Sequence, residues 1–324
     1  PANNVLQGNY IGTEVTGEVA LGGGRVGVSG TGNIVGGAIP GAGNVLAGGL
    51  SIGIDFTDPL GGGGHIVQGN LIGTDKDGIS SLGKRGTGNG IESSGNLIGG
   101  LEPGAGNIIS GNGGSGIHIT GVLPDSFAFA NRPATGNLIQ GNFIGTEADG
   151  LSPLPNLGDG IVVTPDFAYN RTGPGAVNNT IGGLAPGAGN VIAFNGGNGV
   201  NLMGGTATAG SRIAILSNSI FSNGKLGIDL KGDGPTSNDT GDTDAGDNDL
   251  QNFPVLTSIT NTGDDISIGG TLTSIRGSTY RLEFFDNVAF DSSNFGEGAR
   301  FIGATNVTTG SGGNVAFNVT FPVA

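Results

Sequence analysis

The chain repeats itself. One unit reads NxxQGNxIGT, spanning Asn4 to Thr13 and Asn137 to Thr146, with His65 leading the copy that ends at Thr74. A second unit reads NxIGGxxPGAGNxI and starts at Asn33, Asn96 and Asn179. The two alternate, and a degenerate copy of the first, IAILSNSIFSN, begins at Ile213. Starts therefore fall at 4, 33, 65, 96, 137, 179 and 213, which are 29 to 42 residues apart. Self-similarity at this period leaves few folds open, because each unit is one supersecondary element that buries its apolar face only against its neighbours.

Every unit also carries a third short segment of the form GIxI, as in Gly116-Ile117-His118-Ile119, Gly160-Ile161-Val162-Val163 and Gly227-Ile228-Asp229-Leu230. Gly, Asn and Pro punctuate these apolar runs of four or five residues, and no helical period appears. Three strands in each of seven units predict an all-β fold, a right-handed parallel β-helix of about seven coils. Stacked at ~4.8 Å per coil, they make a rod on the order of 34 Å long. The 71 glycines have no G-X-Y period, which excludes collagen. Hydrophobic residues at 35% are thin for a broad core, yet sufficient for a narrow one in which they recur at fixed positions.

Asparagine marks the corners. Asn9, Asn44, Asn70, Asn107, Asn142, Asn190 and Asn218 each precede the second strand of a unit. Asn tolerates left-handed backbone and bonds to nearby main chain, and a stack of amides one coil apart can hydrogen-bond along the rod. A second column runs through Asn4, Asn33, Asn96, Asn137 and Asn179, with His65 and Ile213 as exceptions. His65 is expected to substitute in this ladder, donating from its ring, in preference to ligating a metal.

From Phe253 the texture changes to period-2 segments at 255–261, 265–273, 279–286, 300–308 and 314–321. Five strands in this span predict a small immunoglobulin-like β-sandwich with open edges. The expected organisation is a β-helix over 1–230, an acidic linker over 231–252 and the sandwich over 253–324. The net charge is −14, so nucleic acid and anionic membrane surfaces are poor partners. Cysteine is absent, and no apolar run approaches the ~20 residues that span a bilayer. The repeat begins at once, without a leader, so a processed chain or a fragment is expected.

These motifs resemble those of bacterial secreted parallel β-helix repeat proteins, whose coils alternate GNxIGT with IGGxxPGAGNxI. The segment from Gly227 to Leu256 is similar to the end of that family's helix. The resemblance covers essentially the whole chain and implies secretion and a surface role, without a defined activity.

Chemistry has few footholds in the sequence. A β-helix hydrolase needs carboxylates ~5 to 9.5 Å apart on neighbouring coils, and a lyase needs a base beside acidic calcium ligands. The middle strands carry no charge, and the third strands hold Asp55, Glu92, His118 and Asp229, one to a coil. Asp55 and Glu92 belong to neighbouring coils and are the one pair that could face each other, with Arg25 the only basic residue near such a position. No catalytic residue is assigned. Asp229, Asp233, Asp239, Asp242, Asp244, Asp247 and Asp249, interleaved with turn residues, supply the oxygens that Ca²⁺ takes. The competing reading is a solvated acidic linker. Glu14, Asp75 and Glu147 in the IGT[DE]xxG turns are read as turn caps.

Two long loops, PDSFAFANRP and PDFAYNRTGP, place Phe127, Phe129 and Arg132 beside Phe167, Tyr169 and Arg171 on adjacent coils. They could form a carbohydrate platform or a protein interface, or simply shield the rod. The expected function is a non-catalytic extracellular or cell-surface structural or adhesive protein, a stalk or filament subunit. The alternative is a carbohydrate-active enzyme or carbohydrate-binding module. Expected partners are other copies of the chain, head to tail, or a surface polysaccharide.

Overall fold

The computed structural model describes residues 2–49, 53–56, 62–83, 86–121, 133–164, 175–203, 212–288 and 295–323. Three parallel sheets of seven strands each wind around one core. The first sheet runs from Val5–Leu6 to Ala214–Leu216, the second from Tyr10–Ile11 to Ser219–Phe221 and the third from Val26–Val28 to Ile228–Asp229. Each unit thus contributes one strand to each sheet, and a parallel β-helix of seven coils results.

Register decides what fills the rod. In the first sheet Val35, Val67, Ile98, Ile139 and Ile181 stand opposite one another in turn. In the second, Leu46, Ile72, Ile109, Ile144 and Ile192 do the same. All are essentially inaccessible to solvent. One branched side chain per strand, repeated without slip, keeps the core narrow and continuous, which is how a chain only 35% hydrophobic buries it.

The third sheet corrects one expectation. The coil containing GNGIES threads as Asn89–Ile91, so Asn89 lies opposite Ile54 and Ile117 and points into the core. Gly90, not Glu92, therefore faces Asp55. The GIxI pattern was offset by two residues here, because Gly88-Asn89-Gly90-Ile91 mimics it with a polar inward residue. Asp55 and Glu92 are not a facing pair.

Glycine closes the corner between the first and second sheets. Gly99 holds φ 85°, and a Cβ there would lie 1.9 Å from the Gln140 carbonyl oxygen of the next coil. No other residue meets both demands.

Beyond the last coil the chain forms a short 3₁₀ turn, Asp247–Leu250, and then five antiparallel strands. Val255–Asn261, Asp265–Thr273 and Asn314–Pro322 make one sheet, and Thr279–Asp286 pairs with Arg300–Thr308 in the other. They enclose a second core of Ile268, Leu272, Leu282, Phe284, Val307 and Phe317, with the Phe284 and Phe317 rings 5.8 Å apart.

Candidate functional site

The asparagine columns are hydrogen-bonded ladders. In the second-sheet column each Oδ1 accepts the backbone N–H and the Nδ2 of the Asn one coil earlier. The side-chain links are 3.0 Å from Asn9 to Asn44, then 2.9 Å through Asn70, Asn107 and Asn142 to Asn190, and 2.8 Å to Asn218. The other Nδ2 proton reaches a backbone carbonyl, as from Asn107 to Val67 at 2.9 Å. Asn44, Asn70, Asn107, Asn142 and Asn190 are fully buried, so these bonds satisfy polar groups that water does not reach.

In the first-sheet column Asn4, Asn33, Asn96, Asn137 and Asn179 follow the same rule. His65 takes its place in it, with a correction to its expected role. Its Nδ1 accepts the Asn33 backbone N–H at 3.2 Å, and its own N–H donates to Asn96 Oδ1 at 2.9 Å. The ring imitates the Asn carbonyl oxygen and so must accept, and it stacks on Phe56 with centroids 5.1 Å apart.

A third ladder escaped the sequence reading. Asn112, Asn156, Asn195 and Asn223 link at 2.8 to 2.9 Å at the corner before the third sheet. Each lies four residues before the glycine that opens the next strand, namely Gly116, Gly160, Gly199 and Gly227. That spacing was a usable signal.

The third ladder ends on the sandwich, and backbone next to the ends of the other two columns is bonded by the sandwich or the segment leading to it. Glu297 Oε1 accepts both the N–H and the Nδ2 of Asn223 at 3.2 Å, as the next Asn would. Glu283 accepts the Ser217 N–H at 2.7 Å and its hydroxyl at 3.0 Å. Asn248 accepts from the Ile213 N–H at 2.7 Å and donates back to its carbonyl at 2.8 Å. Ile220 and Gly298 exchange two backbone bonds of 2.7 Å. Glu297 meets the donor end of the third ladder with a carboxylate, the favourable pairing of charge and dipole.

The candidate acidic residues separate into groups. Asp229 is a local brace, buried and accepting the N–H groups of Lys231, Gly232 and Gly234. Asp233 is exposed and paired with Lys231 at 3.2 Å. Asp247 and Asp249 lie on the 3₁₀ turn, where Asp249 is left-handed at φ 54°. Asp239, Asp242 and Asp244 converge, each bringing one carboxylate oxygen within 4.8 Å of the other two. Asn252 holds the group together, its N–H on Asp242 Oδ1 at 2.9 Å and its Nδ2 on the Asp239 and Thr273 carbonyls. Ser274 donates to the other Asp242 oxygen. Asp239 Oδ1 and Asp244 Oδ1 are buried and accept no hydrogen bond. Burial, and then the charges of Asp239 and Asp242, push the Asp244 carboxyl above its usual range. Such a set of hard oxygens suits a calcium-sized cation.

On the outward face of the third sheet, Asp55 is paired with Arg25. His118 Nε2 lies 2.7 Å from Thr164 Oγ1, and burial lowers its pKa. The turn residues cap their own loops as expected. Glu14 accepts from Thr16, Glu18 and Val19, which holds its carboxyl down to about 2, and Asp75 accepts from Ile79. In the third such loop Asp149, not Glu147, takes this part, accepting from Leu151 and Ser152. Phe127, Phe129, Arg132, Phe167, Tyr169 and Arg171 lie outside the described residues. No protein-family model matches the chain, and no curated protein matches it.

Proposed function

We propose that this chain is a non-catalytic structural or adhesive protein of the bacterial cell surface or exterior, a stiff stalk. One observation carries the reading: the recurrent polar side chains of the rod are spent on its own cohesion. Three ladders absorb the corner asparagines, and the cap absorbs Glu283 and Glu297. Of the carboxylates on the third-sheet strands, Asp55 is held by Arg25 and Asp229 by three backbone N–H groups. A hydrolytic pair would instead need two carboxylates free to exchange protons. The same reading takes the terminal sandwich as immunoglobulin-like and groups the chain with secreted β-helix repeat proteins. Its partners would be other copies of itself or a surface polysaccharide. Electron microscopy of the purified protein should show short rods, and incubation with acidic and neutral polysaccharides should release no new reducing ends. Depolymerisation of any of them would overturn the proposal.

Within this reading Ca²⁺ locks the acidic segment, held by Asp239, Asp242 and Asp244. The two buried, unbonded carboxylate oxygens support it. Bound there, the ion would tie the linker to Ser274 in the turn between two sandwich strands, through Asp242. Calcium titration of the Asp244→Asn variant against the parent, followed by calorimetry, tests the assignment. Equal affinity in the two would remove it.

A further inference from the structure

The strand Val255–Asn261 is an edge, paired with Asp265–Thr273 on one side only among the described residues. All seven of its residues are exposed. Ile259 stands opposite Ile268, which is buried in the sandwich core, so the two side chains share a face. Yet Ile259 is 62% exposed and Leu256 50%. The sheets are unequal, three strands against two, and neither Ile259 nor Leu256 is among the described residues packed on the sandwich core. The opposite edge of the same sheet, Asn314–Pro322, differs, because Val315, Phe317, Val319 and Phe321 pack into the core.

Edges of this kind are normally guarded by lysine, proline or an inward charge. Here the seven residues VLTSITN contain no ionisable group, in a chain of net charge −14. Two such chains repel over most of their surfaces, and the uncharged strand is where they can meet without opposing charges. A bulge between Leu256 and Ser258 interrupts the strand and leaves Ser258–Asn261 in regular register.

We propose that a second copy of this chain adds to this edge, strand against strand and antiparallel about a two-fold axis. Backbone groups supply the hydrogen bonds, and Ile259 of each copy gains apolar cover. A two-fold contact closes at two copies, whereas a head-to-tail contact would grow without limit. The proposal stands whether or not the rod has an enzymatic role.

Sedimentation and light scattering of the whole chain, over micromolar to submillimolar concentration and at low and high salt, test it. The expected result is a species of twice the chain mass that increases with concentration and with salt, as screening weakens the repulsion. Hydrogen exchange over 255–261 should slow in parallel. Ile259→Lys, at an exposed position, should leave the melting temperature of the dilute monomer unchanged and lower the dimer association constant at least tenfold. A monomer throughout, growth past two copies, or a dimer untouched by Ile259→Lys would each overturn the proposal.

Discussion

The rod and the sandwich satisfy their backbones by different means. In the rod every coil leans on the next, and side-chain amides extend that dependence to the corners, where strands of only two to four residues leave main chain to be satisfied. In the sandwich the strands run seven to nine residues and pair antiparallel, and Phe284 and Phe317 join four aliphatic side chains in the core. A stack of short strands needs help at its turns and at its ends; a sheet pair needs help only at its edges. The junction joins the two solutions, since the sandwich lends Glu283 and Glu297 to the last coil.

The comparison breaks most readily at Asn107. Replacement by Leu strips the acceptor from the Asn70 N–H and Nδ2 and removes the side-chain donor to the Val67 carbonyl, deep in the rod. A loss on the order of 3 kcal/mol is expected. Asn4→Leu, on the half-exposed first coil, should cost a fraction of that. Denaturant unfolding of the two variants checks the ratio, and equal losses would deny the ladder its cumulative character.

Asn89 offers the opposite sign. It is fully buried among apolar neighbours, and neither side-chain atom has a hydrogen-bond partner. Asn89→Ile should restore the column set by Ile54 and Ile117 and stabilise the rod by roughly 2 kcal/mol. Destabilisation on thermal melting would mean that the amide is engaged. At the junction, Glu297→Ala removes the acceptor from two Asn223 donors near solvent, and about 1 kcal/mol is expected.

Calcium at the Asp239 group should raise the melting temperature by a few degrees relative to chelator, because the ion binds only the folded arrangement. Protons compete for the same oxygens, so the increment should shrink as pH falls into the carboxylate range. The smallest effect belongs to Glu14. Its folded pKa of about 2 lies below the ordinary 4.5, so its contribution is complete above 4.5 and disappears as pH falls towards 2. A carboxyl titration by NMR reads that midpoint directly.

Much of this was legible in the residues. Two ladders announced themselves because Asn recurs at a fixed offset from an apolar pair, and the sandwich strands because alternation survives their full length. Asn89 misled because Gly88-Asn89-Gly90-Ile91 and Gly90-Ile91-Glu92-Ser93 both fit a four-residue pattern, and only stacking chooses between them. Glu297 was invisible for a different reason. Its partner Asn223 lies 74 residues earlier, and no repeat carries that relation. Likewise, seven aspartates read as one cluster became three neighbours, a brace, an exposed ion pair and two turn residues once the backbone placed them.

The central claim is that the rod is held by stacked ladders and finished by the sandwich. Native-state hydrogen exchange at the backbone N–H of Asn9, Asn107 and Asn223 tests it most directly, since each donates to the next rung or to the cap. The account predicts strong protection at Asn107, comparable protection at Asn223 that collapses in Glu297→Ala, and the fastest exchange at Asn9. Exchange at Asn223 as fast as at Asn9, and indifferent to Glu297, would contradict it.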